Sequence, residues 1–241
     1  MRKATMLLAS VLTLAFAGSA MAAQDGTLDG AYGPAIAVQT TQTQFGDANI
    51  ALVDYANGSE LDGAYGYVSG GNLYLFLAGN LESNFNKLEL YFDTKAGGQN
   101  QLRGDNPDVD FNGLNRQAGL KFDAAFAPDY YVTTTGGYDG SGYRMFASYA
   151  ELLTAGGGSG YYLGSNTAVT AGPMSGGTNP NNIEITIDNS NAAGVDGGCG
   201  ASSGAGVTKG VELVIPLAAI GSPTGCFTVC AFVNGSGHDY V

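Results

Sequence analysis

Residues 72–98, NLYLFLAGNLESNFNKLELYFDTKAGG, decide the fold of this chain. Residues 72–78 carry leucine at every second position, residues 87–93 alternate apolar and mostly polar side chains, and a polar turn joins the two runs. Alternation with period two is typical of neighbouring antiparallel strands that bury one face. The first run therefore predicts that Leu73, Leu75 and Leu77 face a core.

The same style continues along the chain. In 87–93, the residues predicted to face the core are Leu88, Leu90 and Phe92, and those predicted to face solvent are Lys87, Glu89, Tyr91 and Asp93. Further strands are predicted at 35–41, 49–54, 118–122, 130–135, 183–188, 211–215 and 226–233, with Ile183, Ile185 and Ile187 on one face. Many short alternating segments separated by Gly, Asn and Asp predict an all-β fold, an antiparallel β-sandwich that is jelly-roll-like.

One short helix and two long loops complete the prediction. The helix is predicted over 145–155, MFASYAELLTA, because good helix formers precede three glycines. Residues 156–182 and 189–206 are rich in Gly, Ser and Asn and predict loops. The hexapeptide LDGAYG at 28–33 recurs at 61–66, which indicates two similar turn-and-edge elements, with a duplicated binding loop as the alternative.

The N-terminus predicts export. Arg2 and Lys3 precede an apolar run at 6–17, and small residues end at Ala22, as in a secretory signal cleaved after that residue. The run is shorter than the roughly 20 residues that a membrane-spanning helix needs. The expectation is a single domain over 23–241, located outside the cell, on its surface or in the periplasm. The chain stops at Val241 without a closing turn, which favours a further strand or sorting tail beyond it.

Charge and cysteine usage restrict the partners. The formal net charge is −12, which argues against nucleic acid and anionic lipid and is compatible with divalent cations or simply with solubility. Cys226 and Cys230 lie four residues apart on one face of a predicted strand, too far apart to bond each other. Cys199 could pair with either, so the pairing stays open and one thiol is left over.

The sharpest local motif lies at 105–113, DNPDVDFNG. Asp108, Asp110, Asn112 and Gly113 match the first half of a calcium loop, in which alternate oxygens converge on a hard cation, and Asp105 could add an oxygen. The twelfth position is not glutamate, so the motif is not an EF-hand. A looser Ca²⁺ site and an Asx-rich turn without metal are both compatible with it.

Catalytic signatures are weak, so the sequence predicts a protein that is not an enzyme. The scattered glutamates are Glu60, Glu82, Glu89, Glu151, Glu184 and Glu212. Three of them, Glu89, Glu184 and Glu212, occupy alternating strand positions and are predicted to face solvent. The chain has one histidine, His238, and no phosphate-binding loop.

Tyrosines offer the remaining binding chemistry. Flat exposed rings can stack on the apolar C–H faces of sugars, and the chain has 14 Tyr and no Trp. The candidates for stacking are Tyr130, Tyr131, Tyr138, Tyr143, Tyr161 and Tyr162. The alternative for each is an ordinary place in the core or at the rim of the sandwich.

Four segments carry a family resemblance: DGTLDGAYG at 25–33, the hairpin at 72–94, FDAAFAPDYYVTTTGG at 122–137 and GVELVIPLAAIG at 210–221. In this order they resemble family 9 carbohydrate-binding modules and the related DOMON-like sandwiches. The chain is also similar to Gly-rich secreted bacterial proteins, some of which carry a PEP-CTERM sorting signal. The resemblance implies a non-catalytic extracellular sandwich with a sugar ligand and bound calcium.

Two functions follow as hypotheses. The first is a module that binds extracellular polysaccharide or another matrix component. The second is a structural or adhesive protein of the cell surface without a small-molecule ligand. Coplanar exposed aromatic side chains would favour the first, and a free strand edge would favour the second.

Overall fold

A computed structural model describes residues 10–11, 21–42, 51–195 and 203–238 of the chain. The strands are β1 Ser10–Val11, β2 Ala37–Val38, β3 Glu60–Ser69, β4 Asn72–Asn80, β5 Asn84–Asp93, β6 Tyr130–Tyr138, β7 Tyr143–Glu151, β8 Gly160–Thr167, β9 Ser175–Gly176, β10 Glu184–Ile187, β11 Gly210–Pro216 and β12 Thr228–Asn234. One α-helix, α1 Gly113–Arg116, and two 3₁₀ turns, Gly30–Tyr32 and Leu217–Ile220, accompany them.

The strands form two antiparallel sheets. The larger has the order β1-β12-β5-β6-β7-β8-β9, and the smaller has the order β10-β11-β4-β3-β2. The predicted all-β sandwich is therefore confirmed. Among the helices of the described residues, none has the length and apolarity that crossing a membrane requires.

The main core lies between the sheets. Its members from β4, β5 and the region of β10 are Leu73, Leu75, Leu77, Leu88, Leu90, Phe92, Ile183, Ile185 and Ile187, all of them buried. The alternation of the sequence thus assigned all nine inward positions correctly. Each such side chain contributes about 1.5–3 kcal/mol when fully buried, so these positions hold the two sheets together.

The predicted solvent positions of β5 are wrong. Lys87, Glu89 and Tyr91 point away from the main core, yet all three are buried. The cause is the connection from β5 to β6, which folds back over the outer face of the larger sheet. Its apolar side chains form a second core there with Tyr91 and Tyr131, namely Leu102, Val109, Leu114, Phe122 and Phe126.

The helix prediction is also wrong. Most of 145–155 belongs to β7, where Met145, Ala147 and Tyr149 alternate into the main core. The α-helix of the described residues instead begins at the last residue of the acidic motif and spans Gly113–Arg116. Residues 156–182, predicted as a loop, contain β8 and β9.

The repeated hexapeptide adopts two different structures. Its first copy forms the 3₁₀ turn at Gly30–Tyr32, and its second copy lies inside β3. The prediction of two similar elements is wrong, because the neighbouring chain decides the local conformation. Strand β3 itself was not predicted, whereas 35–41 shrinks to β2, and 118–122 carries only an isolated bridge at Lys121.

Several predictions fall on undescribed residues. Most of the predicted signal sequence, residues 1–9 and 12–20, lies outside the described part of the chain, as do residues 49–50, Cys199 and the C-terminal end at 239–241. Cys226 precedes β12 and is exposed, whereas Cys230 lies in that strand and is buried, and the two are not bonded to each other.

Candidate functional site

The outer face of the larger sheet carries the features that simple packing does not require. Part of this face is covered by the second core. Beside it lies a group of charged side chains that we call the ion cluster: Lys87, Glu89, Asp110 and His238. Next to the ion cluster lies a group of partly exposed rings that we call the aromatic face: Phe85, Phe146 and Tyr162.

His238 is the centre of the ion cluster. Its Nδ1 lies 2.6 Å from Oε1 of Glu89, and its Nε2 lies 2.8 Å from Oδ2 of Asp110. A ring that bonds carboxylates through both nitrogens donates from both, so it is the imidazolium form. Burial alone would lower the pKa of His238, but the hydrogen bonds and charges of Asp110 and Glu89 raise it to about 9.

Each of the two carboxylates in the ion cluster accepts hydrogen bonds from several donors. Asp110 also binds Nζ of Lys87 at 2.9 Å, and both side chains are nearly buried. Burial would raise the pKa of Asp110, yet the bonds from His238 and Lys87 hold it below its ordinary value. Glu89 is fully buried and accepts from Oη of Tyr131 at 2.5 Å and from Nε2 of Gln117 at 3.2 Å.

The ion cluster connects distant parts of the chain through buried ion pairs. Two acids and two cations meet in a buried space, and their charges cancel. They come from β5, from the segment before α1 and from the turn after β12, so the cluster ties three separate parts of the chain together. Breaking such a buried pair by removing one partner costs about 3–5 kcal/mol.

An unusual backbone conformation places the acidic motif beside the ion cluster. Asp110, Phe111 and Asn112 have φ of 49°, 54° and 64°, so three successive non-glycine residues are left-handed. A Cβ at Gly113 would lie 2.0 Å from Nε2 of His238, which is why glycine must follow them. This turn brings the Asp110 carboxylate to the ion cluster and leaves the Phe111 side chain 89% exposed.

The predicted calcium ligands do not meet at one point. Asp105 forms an exposed pair with Arg103, Asp110 belongs to the ion cluster, and Oδ1 of Asn112 accepts from Asn115. Asp108 is exposed at the surface. Over the described residues, no three side chains of His, Cys, Asp or Glu are grouped so that they could hold a metal ion. This geometry favours the Asx-rich turn over the predicted Ca²⁺ site, and a calcium titration of Tm tests the choice between them.

Phe85 begins the aromatic face with a second left-handed residue. Its φ is 68°, and it lies in a bulge where Asn84 pairs with Gly137 and Lys87 pairs with Thr135. A Cβ at Gly137 would lie 2.1 Å from the Phe85 ring, so the ring rests directly on that glycine. A bulky residue with positive φ is a genuine outlier, and such strain concentrates at ligand-binding positions.

The aromatic face continues across the sheet. The rings of Phe85 and Phe146 stack with centroids 6.4 Å apart and planes 28° apart. Tyr162 on β8 pairs with Ser148, two residues from Phe146 on the same outward face, and is 46% exposed. The row crosses β5 to β8, which is roughly 14 Å at about 4.8 Å between strands.

Polar side chains border this row. Arg144 and Ser165 lie on the outward face of β7 and β8, and Nη1 of Arg144 lies 3.3 Å from Oγ of Ser165. Nε of Arg144 also bonds Asp139 at 2.6 Å. Asn86 lies partly exposed beside Phe85. The surface therefore offers flat apolar rings flanked by hydrogen-bonding groups.

The structure separates the six tyrosine candidates. Tyr130, Tyr131 and Tyr143 are buried in the two cores, so their prediction as exposed stacking residues is wrong. Tyr161 is partly buried and stacks on Tyr149.

The remaining two candidates, Tyr138 and Tyr162, are exposed. They pair with Tyr143 and Ser148, five positions apart on β7, and do not form one platform. The sequence analysis did not identify Phe85 or Phe111 as exposed aromatic residues. The available signals were the position of Phe85 between two asparagines and that of Phe111 in a Phe-Asn-Gly turn.

Two glutamates predicted to face solvent are buried. Glu89 belongs to the ion cluster, and Glu212 lies on the outer face of the smaller sheet under residues 23–33. Glu184 is only partly buried. Comparisons with known proteins add no assignment, because no family model, curated protein or solved structure matches this chain.

Proposed function

We propose that this protein is an exported, non-catalytic module that binds a neutral polysaccharide on the aromatic face. The observation that carries the proposal is the stacked and partly exposed pair Phe85 and Phe146, with Phe85 held in a left-handed bulge. A fold that only needed stability would place a glycine or asparagine at that φ.

Sugar chemistry fits this surface. Pyranose rings present flat C–H faces, which pack on aromatic rings, and their hydroxyls bond polar side chains at the border. A row of about 14 Å takes an extended chain better than a single small molecule. The net charge of −12 repels anionic polymers, which favours a neutral polysaccharide.

The test is a depletion assay with a panel of insoluble neutral polysaccharides. The exported protein should bind at least one of them, and Phe85→Ala should weaken that binding about tenfold or more, as loss of about 1.4 kcal/mol at a hot spot does. Phe85→Tyr should retain binding because the ring remains.

The matched control for this assay is Val38→Ala. Val38 is an exposed apolar residue of the smaller sheet, and its change should leave binding as it was. Equal binding by wild type and Phe85→Ala would contradict the proposed site.

A second candidate function rests on a different observation. Strand β12 pairs with β1 only at Thr228 and Val229, and within the described chain residues 230–233 of its outer edge have no partner strand. A cavity of about 70 Å³ lies beneath this edge, lined by apolar side chains of β3, β4 and β12. Free edges promote strand pairing between copies, which suits a structural or adhesive protein. Concentration-dependent oligomers in sedimentation, without polysaccharide binding, would favour this function.

A further inference from the structure

Residues 23–33 are fastened to the outer face of the smaller sheet. The backbone of Leu28 donates to Thr208, and Gly26 accepts from Gly210, so the segment runs beside the start of β11. Tyr32 is buried against Phe76 and donates to Oε1 of Glu212 at 2.7 Å. These contacts hold the chain in place directly after residues 21–22.

One contact reaches the residue after the predicted cleavage bond. The backbone nitrogen of Ala23 lies 2.6 Å from Oδ2 of Asp29. Met21 is 65% exposed and Ala23 is also exposed, so the bond between Ala22 and Ala23 is accessible to a peptidase.

Three carboxylates lie near Ala23. The backbone nitrogens of Asp25 and Gly26 lie 3.0 and 3.1 Å from Oε2 of Glu212, which brings a third carboxylate near Asp25 and Asp29. Over the described residues, no Lys, Arg or His forms an ion pair with these three acids. Lys209, just before β11, lies against the same segment, with its Nζ 2.7 Å from Oγ1 of Thr27, but its ion pair is with Asp188.

We propose that hydrolysis of the bond between Ala22 and Ala23 completes this site, with the new α-ammonium as the cation that Asp29 binds. Water adds across the peptide bond, its hydroxyl going to the carbonyl carbon of Ala22 and its proton to the nitrogen of Ala23. That nitrogen then takes a second proton from solvent. The amide donor at 2.6 Å becomes a charged donor on the same acceptor, and such bonds are about twice as strong.

The proposal has a chemical consequence for the folded protein. An opposite charge within hydrogen-bond distance favours the protonated amine, so the pKa of the Ala23 α-amine should exceed its ordinary range of about 7.7–8.0. The proposal depends on export but not on polysaccharide binding, so either can fail without the other.

The experiment uses the full chain with its leader, expressed in a bacterial host and recovered after export. Mass spectrometry identifies the first residue, and NMR follows the Ala23 methyl carbon against pH in wild type, Asp29→Asn and the control Asp108→Asn. Asp108 is an exposed acid on the other sheet's outer side.

The expected result is Ala23 at the N-terminus, an α-amine pKa above 8, a fall of about one unit in Asp29→Asn and no change in Asp108→Asn. A different N-terminal residue would overturn the proposal. An ordinary α-amine pKa in wild type, or a raised one that Asp29→Asn leaves in place, would overturn it as well.

Discussion

The ion cluster makes the stability of this protein depend on pH in a defined direction. The pKa of His238 rises from 6.5 to about 9 in the folded state. The difference is worth about 3 kcal/mol, since one pKa unit corresponds to about 1.36 kcal/mol. Because the folded pKa is the higher one, this stabilisation is complete below pH 6.5, declines as the pH rises toward 9 and is absent above it.

The substitution that tests this contribution of His238 to stability is His238→Gln. At pH 6 the variant leaves Glu89 and Asp110 with one cation fewer, and we expect it to lose about 3–5 kcal/mol of stability. For a chain of this size that lowers Tm by at least about 6 °C. At pH 9.5 the wild type has itself lost the imidazolium, so the gap between the two proteins should shrink by about 3 kcal/mol.

The assay is urea unfolding of both proteins from pH 6 to 9.5. Arg103→Gln is the control, since it breaks an ion pair of similar length, 2.6 Å, that is exposed, and it should leave the shape of the pH curve unchanged. The chain has one histidine, so its NMR titration reads the pKa of His238 directly. A gap that stays constant with pH, or a measured pKa below 7, would refute the reasoning.

Three further predictions concern strain, calcium and glycine. Phe85→Gly removes the strain of a left-handed φ, about 1–2 kcal/mol, and also loses a ring pair worth about 0.5–1.5 kcal/mol. Because the two effects nearly cancel, Tm should change little while polysaccharide binding falls. A large drop in Tm would contradict the strain argument. Calcium should shift Tm by less than about 1 °C relative to excess chelator, because Asp105 and Asp110 already bind cationic side chains; a rise that Asp108→Ala abolishes would instead establish a metal site. Gly79→Ala should destabilise far more than Gly70→Ala, because both have positive φ but only a Cβ at Gly79 would strike backbone, 2.0 Å from the carbonyl of Glu60; equal losses in urea unfolding would count against this.

The sequence predicted the fold well in strands where apolar residues at every second position face the core between the sheets. The inward sets of β4, β5 and β10 were correct because the core between two sheets selects apolar residues at every second position. The signal failed at 145–155, where good helix formers lie in β7. There, pairing with β6 and β8 along the whole strand overrides the local propensity.

The candidate site was much harder to predict. Glu89 and Tyr91 follow a pattern that indicates solvent, and only the covering segment from 99 to 126 makes them buried. That segment has little regular structure, so its sequence gives no periodic signal of what it covers. The partnership of Glu89 with His238 joins residues 149 positions apart, and a single sequence holds no trace of it.

The aromatic face was missed for a related reason. Its rings come from β5, β7 and β8, and only the bulge in β5 turns Phe85 outward. That bulge depends on a φ value that bulky residues seldom adopt. Tyrosines attracted attention in the sequence because they are abundant, yet half of the six candidates fill the cores.

The most direct test of the central claim is an NMR titration of the labelled protein with a soluble neutral polysaccharide selected in the depletion assay. The account predicts that the largest chemical-shift changes fall on Phe85, Phe146 and Tyr162, with small changes on the smaller sheet. Shifts that cluster along β12 or on the outer face of the smaller sheet, or binding unchanged by Phe85→Ala, would contradict it.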